Sequence, residues 1–161
     1  MTNKLIYFIG NWKMFGDFSS IKIINKLNKF YSKFKKIHYR NKIILCVPYT
    51  LIYFFKKKNK SKHIYFGAQD CHQQQTNGPF TGSISASMIK KVGAQYVILG
   101  HSENRSSGDT NHKIKDKIKS ALNEKLRVIF CIGETYKERK EKKTISVLRK
   151  QINGSIDKKY N

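Results

Sequence analysis

Five short apolar runs, each closed by turn residues and each followed by a stretch of helical periodicity, constrain this chain more than any other feature. The runs are Leu5-Ile6-Tyr7-Phe8-Ile9, Ile43-Ile44-Leu45-Cys46-Val47, His63-Ile64-Tyr65-Phe66, Tyr96-Val97-Ile98-Leu99 and Arg127-Val128-Ile129-Phe130-Cys131. Short, and rich in β-branched and aromatic residues, they read as buried strands. Between them the apolar residues recur at helical spacing. Ser19 or Ser20 is placed to cap a helix whose inner face is Ile21, Ile24, Leu27, Tyr31 and Phe34. Tyr49 to Lys58 reads as a short helix with Leu51, Phe54 and Phe55 inward. Ser83 or Ser85 starts a third helix with Met88, Ile89 and Val92 apolar and Gly93 as its stop. Asp109 or Thr110 caps a fourth, carrying Ile114, Ile118, Ala121 and Leu122, and Thr135 to about Asn153 forms one last helix with Ile145, Leu148 and Ile152 inward. Strand and helix alternating in this way imply an α/β fold, a parallel sheet covered by helices. The spacing is compatible with an open doubly wound sheet and with a closed barrel. No G-x-G-x-x-G and no P-loop follows the first strand, which argues against a nucleotide-binding fold.

Composition narrows the class. A chain of 161 residues can bury a real core. It holds no run of 18 apolar residues, so no membrane span is expected, and the N-terminal apolar run is too short for a signal-peptide core. Its three cysteines are odd in number and lack C-x-x-C spacing, which indicates neither a disulfide framework nor a zinc site. A cytoplasmic protein is expected. Cys46 and Cys131 read as buried core thiols. The charge is extreme: 33 Lys and Arg against 10 Asp and Glu, a net +23. Such a balance is compatible with a nucleic-acid surface. However, no Arg/Gly or aromatic RNA-binding motif accompanies it, and Lys, Ile, Asn, Tyr and Phe are all residues of A/T-rich codons. Drift of surface positions toward lysine is the preferred account, and nucleic acid is not the expected partner. A positive field of this size would still draw in an anionic substrate.

Chemistry in α/β folds lies beyond the carboxyl ends of parallel strands, and the strand ends here carry distinctive residues. Gly10-Asn11-Trp12-Lys13-Met14 follows the first run and Gly67-Ala68-Gln69-Asp70 the third. A long polar loop then contains Phe80-Thr81-Gly82. Gly93-Ala94-Gln95-Tyr96-Val97-Ile98-Leu99-Gly100-His101-Ser102-Glu103 spans the fourth strand, and Cys131-Ile132-Gly133-Glu134, with Glu138-Arg139 beyond it, ends the fifth. Taken together and in this order, these segments resemble the triosephosphate isomerase family along essentially the whole chain. The resemblance implies a (β/α)8 TIM barrel, a fold of about 250 residues, here represented by its first five βα units as one partial barrel domain over residues 1–161. It also implies interconversion of dihydroxyacetone phosphate and D-glyceraldehyde 3-phosphate in glycolysis and gluconeogenesis, without a cofactor or metal.

Site roles follow from the resemblance, residue by residue. His101 would be the electrophile at the substrate carbonyl, and Lys13 would place an ammonium beside the phosphate and the developing oxyanion. Asn11 would bind substrate oxygens and orient Lys13, and Glu103 would balance the charge of Lys13. Thr81 would lie in a homodimer interface, because the family's third loop inserts into the neighbouring subunit. Trp12 is assigned to packing. His38, His63, His72 and His112 sit in polar surroundings, read as surface residues, and show no metal-ligand spacing. Several positions depart from the family pattern: Asn104 stands in place of a first arginine, Ser83 in place of the acid usual after Thr-Gly, the loop from Arg105 to Asp109 is a residue short, and Asp109-Thr110-Asn111-His112 replaces a more acidic run. The family's Glu-Pro segment with the catalytic glutamate, its lid and its last phosphate loops find no counterpart here, so these 161 residues alone are expected to be inactive. The competing reading is a basic polyanion- or RNA-binding protein on a decayed α/β scaffold.

Overall fold

The computed structural model describes residues 5–33 and 40–157. Phe34 and His38 lie outside the described residues. Five strands run in chain order: β1 (Ile6–Asn11), β2 (Asn41–Cys46), β3 (Ile64–Ala68), β4 (Tyr96–Leu99) and β5 (Arg127–Phe130). Between and after them come α1 (Ile21–Lys33), α2 (Tyr49–Lys58), α3 (Ala86–Lys91), α4 (Ser102–Ser106), α5 (Asn111–Asn123), α6 (Tyr136–Lys140) and α7 (Thr144–Ser155).

All pairings are parallel and the sheet order is β1-β2-β3-β4-β5. That order decides between the two closures left open above. A doubly wound sheet reverses its winding, so its strand order jumps at a switch point. Here every crossover steps one strand in the same direction. Because such crossovers are right-handed, the helices gather on one face of the sheet. This is the winding of a (β/α)8 barrel, with five of its strands present.

The period of two along each strand sorts side chains between two cores. Leu45, Phe66, Val97 and Leu99 point to the helices and pack with Ile24, Ile52, Phe55, Ile89, Ile114 and Ile118. Ile44, Cys46, Tyr96 and Ile98 point to the concave face, against Tyr65, Ile129 and Cys131. At the β3–β4 seam Gly67 has no room for a side chain: a Cβ there would stand 2.7 Å from Cys46 Sγ and 3.1 Å from the Tyr96 carbonyl.

Several expectations are corrected. β1 is not a buried strand; Leu5 to Ile9 are 44–56% exposed. It is the outermost strand, paired on one side only with β2, so its apolar side chains find no second neighbour. Neither Ser19 nor Ser20 caps α1. Instead Asp17 caps a 3-10 turn at Phe18–Ser20 that runs directly into the helix, with Ser20 answering as the reciprocal partner of a capping box. Met88 is 44% exposed and Ile145 62% exposed rather than inward. The single last helix is two, α6 and α7, because Lys142 adopts a left-handed conformation (φ 57°) between them. Cys131 is partly exposed, unlike Cys46. His72 is half-buried and its ring lies 4.4 Å from that of Phe80.

Candidate active site

The carboxyl ends of β1, β3 and β4 converge on one cleft of about 660 Å3, lined among others by Asn11, Lys13, Gln69, His101, Glu103 and Asn104. Each lining residue is set by the end of its strand. Asn11 closes β1 in register with Cys46 of β2. Its side-chain oxygen accepts from the Lys13 backbone N–H at 3.0 Å, a tight turn that reverses the chain. Lys13 has φ 52°, a left-handed conformation that costs a side-chain-bearing residue energy unless its surroundings impose it. Gln69, just past β3, supplies that constraint. Its amide nitrogen lies 2.8 Å from the Lys13 carbonyl, 3.1 Å from the Cys46 carbonyl and 3.2 Å from Asn11 Oδ1, so two hydrogens serve three acceptors. The strand-end motif was legible in the sequence, but the role of Gln69 in holding the Lys13 backbone was not, because the two residues are 56 positions apart.

Beyond β4 the chain turns at Gly100, where φ is 75° and a Cβ would meet the Cys131 carbonyl at 2.9 Å. His101 then caps the five-residue helix α4, its Nδ1 accepting from the Glu103 N–H at 3.3 Å. An Nδ1 that accepts leaves Nε2 as the ring nitrogen able to donate. Glu103 Oε2 also approaches this Nδ1 at 3.5 Å. The Glu103 carboxylate is engaged by Lys13, whose Nζ donates to Oε1 at 2.8 Å. That hydrogen bond holds the Glu103 carboxyl below the usual carboxylate range. Both groups are at least half open to solvent, so the pair orients Lys13 more than it stabilises the fold.

Four of the residues singled out in the sequence, Asn11, Lys13, His101 and Glu103, thus share one cleft. Thr81 does not; it lies in the exposed loop after Phe80. Asn104 lines the cleft, and Arg105 fastens α4 by donating to the Gly100 carbonyl at 2.8 Å and to Asn111 Oδ1 at 2.8 Å. Behind the cleft, sequence reasoning missed Lys117 altogether. Its ammonium is buried between Asp109 (2.7 Å) and both oxygens of Asp70 (2.9 and 2.8 Å), with Lys113 on the other Asp109 oxygen at 3.0 Å. Burial opposes charge on Lys117, but the two carboxylates outweigh it and raise its pKa. Burial likewise pushes the Asp109 carboxyl up, yet its hydrogen bonds to Lys117 and Lys113 leave it below the usual range. Among the described residues no group of three His, Cys, Asp or Glu is placed to hold a metal, and no helix is long and apolar enough to cross a membrane.

The model of the family described as triosephosphate isomerase matches residues 6–161. The chain belongs to the triosephosphate isomerase family. It is 38% identical over 162 residues to the triosephosphate isomerase of Dictyoglomus thermophilum, covering 98% of this chain and 61% of that one. It is 39% identical to the Saccharomyces cerevisiae enzyme, over 92% of this chain and 58% of the relative. The crystal structure of triosephosphate isomerase from Bartonella henselae superposes with a TM-score of 0.83 at 35% identity, over 94% of this chain and 62% of that one. The chain therefore spans about six-tenths of the length of the triosephosphate isomerases it matches, and its five parallel βα units are those of their TIM barrel.

Proposed function

We propose that this chain supplies the electrophilic half of a triose-phosphate isomerase site. In this reading residues 1–161 form one partial barrel domain of a cytoplasmic homodimer that interconverts dihydroxyacetone phosphate and D-glyceraldehyde 3-phosphate. The observation that carries the reading is the convergence of Asn11, Lys13, His101 and Glu103 on one cleft at the strand carboxyl ends. Isomerisation needs a base to take a proton from the carbon beside the carbonyl, and a donor to stabilise the enediolate that results. His101 serves as the donor through Nε2–H, a neutral group matched to the weak acidity of an enediol. The pairing of a carboxylate base with a neutral histidine is an established example in this very family and is taken over from it.

Lys13 neutralises phosphate and oxyanion charge, Glu103 keeps its ammonium aimed into the cleft, and Asn11 binds substrate oxygen while forming the turn that presents Lys13. The base, the lid and the remaining phosphate contacts belong, in this reading, to the part of the relatives that this chain does not match. The homodimer is supported by Met14 and Phe15, 94% and 74% exposed at the mouth of the cleft, and by Phe80, 44% exposed beside Thr81. Exposed apolar side chains on strand-end loops are what an interaction surface presents.

The test is isomerase activity of two proteins: these residues alone, and these residues joined to the remaining βα units of the yeast relative. Each is measured against its own His101→Ala control. The joined protein is expected to turn over with His101 dependence, and the residues alone are expected to match their control. A joined protein that is folded but inactive would refute the assignment. A substantial His101-dependent rate from the residues alone would show that a base lies within them.

A further inference from the structure

Carboxylates gather at the carboxyl ends of the strands, whereas cations stand at both ends. Seven of the ten acids stand in segments directly after a strand: one after β1, one after β3, two after β4 and three after β5. The amino ends of the strands are the reverse. Lys58, Lys60, Lys62, Lys90, Lys91 and Lys125 precede β3, β4 and β5, and all six are exposed. They form one surface, because the ends of their helices touch. The Lys56 stem packs where a Cβ on Gly93 would stand 2.7 Å away, and Lys90 Nζ donates to the Lys125 carbonyl at 3.1 Å. The one carboxylate among them, Glu124, accepts from Gln75 at 2.8 Å. Among the described residues none of the six lysines is ion-paired, whereas at the other end Lys13, Lys113, Lys117, Arg139 and Lys143 pair with acids and Lys137, Lys140 and Lys142 do not.

This sorting alters the weight of the drift account, which predicts lysines scattered without regard to the acids. Complementing helix dipoles explains a cation in the last turn, but Lys60, Lys62 and Lys125 stand beyond the helix ends. We propose that the amino-end face binds the phosphate backbone of a single-stranded nucleic acid without reading its bases. Ammonium groups on flexible stems are point charges that suit phosphates at no fixed angle. The exposed ring beside Lys62, that of His63, is stacked on Tyr31 with centroids 5.4 Å apart, and Arg127 is committed to the Tyr96 hydroxyl at 3.0 Å. Residues 59–63, 90–95 and 123–126 present no exposed apolar side chain to enter a lipid headgroup layer, which disfavours an anionic membrane as the partner. The face is opposite the isomerase cleft, so both can be occupied at once.

The experiment measures fluorescence anisotropy of a labelled 20-nucleotide oligouridylate with the purified protein, from 50 to 300 mM salt. Six phosphate contacts predict a slope of log affinity on log salt of about −4. Replacing Lys58, Lys60, Lys62, Lys91 and Lys125 by Gln should weaken binding more than tenfold and flatten the slope to about −1. A variant with the same charge loss elsewhere, Lys22, Lys26, Lys137, Lys140 and Lys142 to Gln, should bind within twofold of the parent. Arginine at the first five positions should retain binding, and oligouridylate should protect those lysines of the unmodified protein from acetylation. Equal weakening in the two glutamine variants would overturn the proposal in favour of net charge alone. So would no binding by the parent at 150 mM salt, or lysine-dependent binding to phosphatidylserine vesicles without binding to RNA.

Discussion

Replacing Lys117 by Met should be the most damaging single change away from the cleft. The side chains of Lys117 and Asp109 are each only 4% exposed, and Asp70 is held by the same ammonium. Methionine fills the space of the stem but leaves two carboxylates facing each other. Breaking a buried pair by removing one partner costs about 3–5 kcal/mol. Lys113 remains on Asp109 at 3.0 Å, which places the expected loss at pH 7 near the lower figure, about 3 kcal/mol. The pH dependence is the sharper test. In the parent the Asp109 carboxyl lies below its unfolded value of 3.8, so its stabilisation is present above that pH and is lost as pH falls through the folded value. In the variant, burial without Lys117 moves the Asp109 carboxyl the other way and pushes Asp70, already raised by burial in the parent, further up, so both penalise folding as pH rises. The gap between the two proteins should therefore shrink by at least about 1 kcal/mol between pH 7 and pH 4. Urea unfolding followed by circular dichroism at several pH values measures it. A loss under 1 kcal/mol at pH 7, or a loss that does not change with pH, would refute the account. Asp109→Asn in the Lys117→Met background should restore part of the stability.

In an isomerase carrying this chain, His101→Gln should lower kcat by about 100-fold or more with a smaller change in KM, because a donor to the enediolate acts mainly in the transition state; steady-state kinetics in both directions test it. Gln69→Leu removes the amide that holds the left-handed turn at Lys13. It should weaken binding of a phosphate-bearing inhibitor and lower stability by about 1–3 kcal/mol, read by calorimetry and urea unfolding. Gly67→Ala forces a Cβ against Cys46 Sγ and the Tyr96 carbonyl and should cost about 1–3 kcal/mol; an unchanged melting temperature would show that the β3–β4 seam has slack.

Local structure was legible along the chain. Runs with a period of two and stretches with a period near four are imposed on the chain by the geometry of strands and helices. The five strands, α2, α5 and the Ser85 and Thr110 caps therefore lie where the pattern places them. The strand ends that carry Asn11, Lys13, His101 and Glu103 were legible for the same reason, but Asp70 and Glu134 also follow strands, and the choice of those four rested on the resemblance to the family. The remaining features depend on contacts between distant segments. The direction of winding emerged from strand order, because the same βα alternation feeds either closure. The exposure of β1 follows from its place at the edge of the sheet, which an apolar run does not reveal. Lys117 looks in sequence like any other lysine on a basic helix. It is buried because Asp70, 47 residues earlier, and Asp109, 8 residues earlier, meet on one side of α5. A buried charge is stable only where its partners arrive in space, and a pattern along the chain carries no record of that arrival.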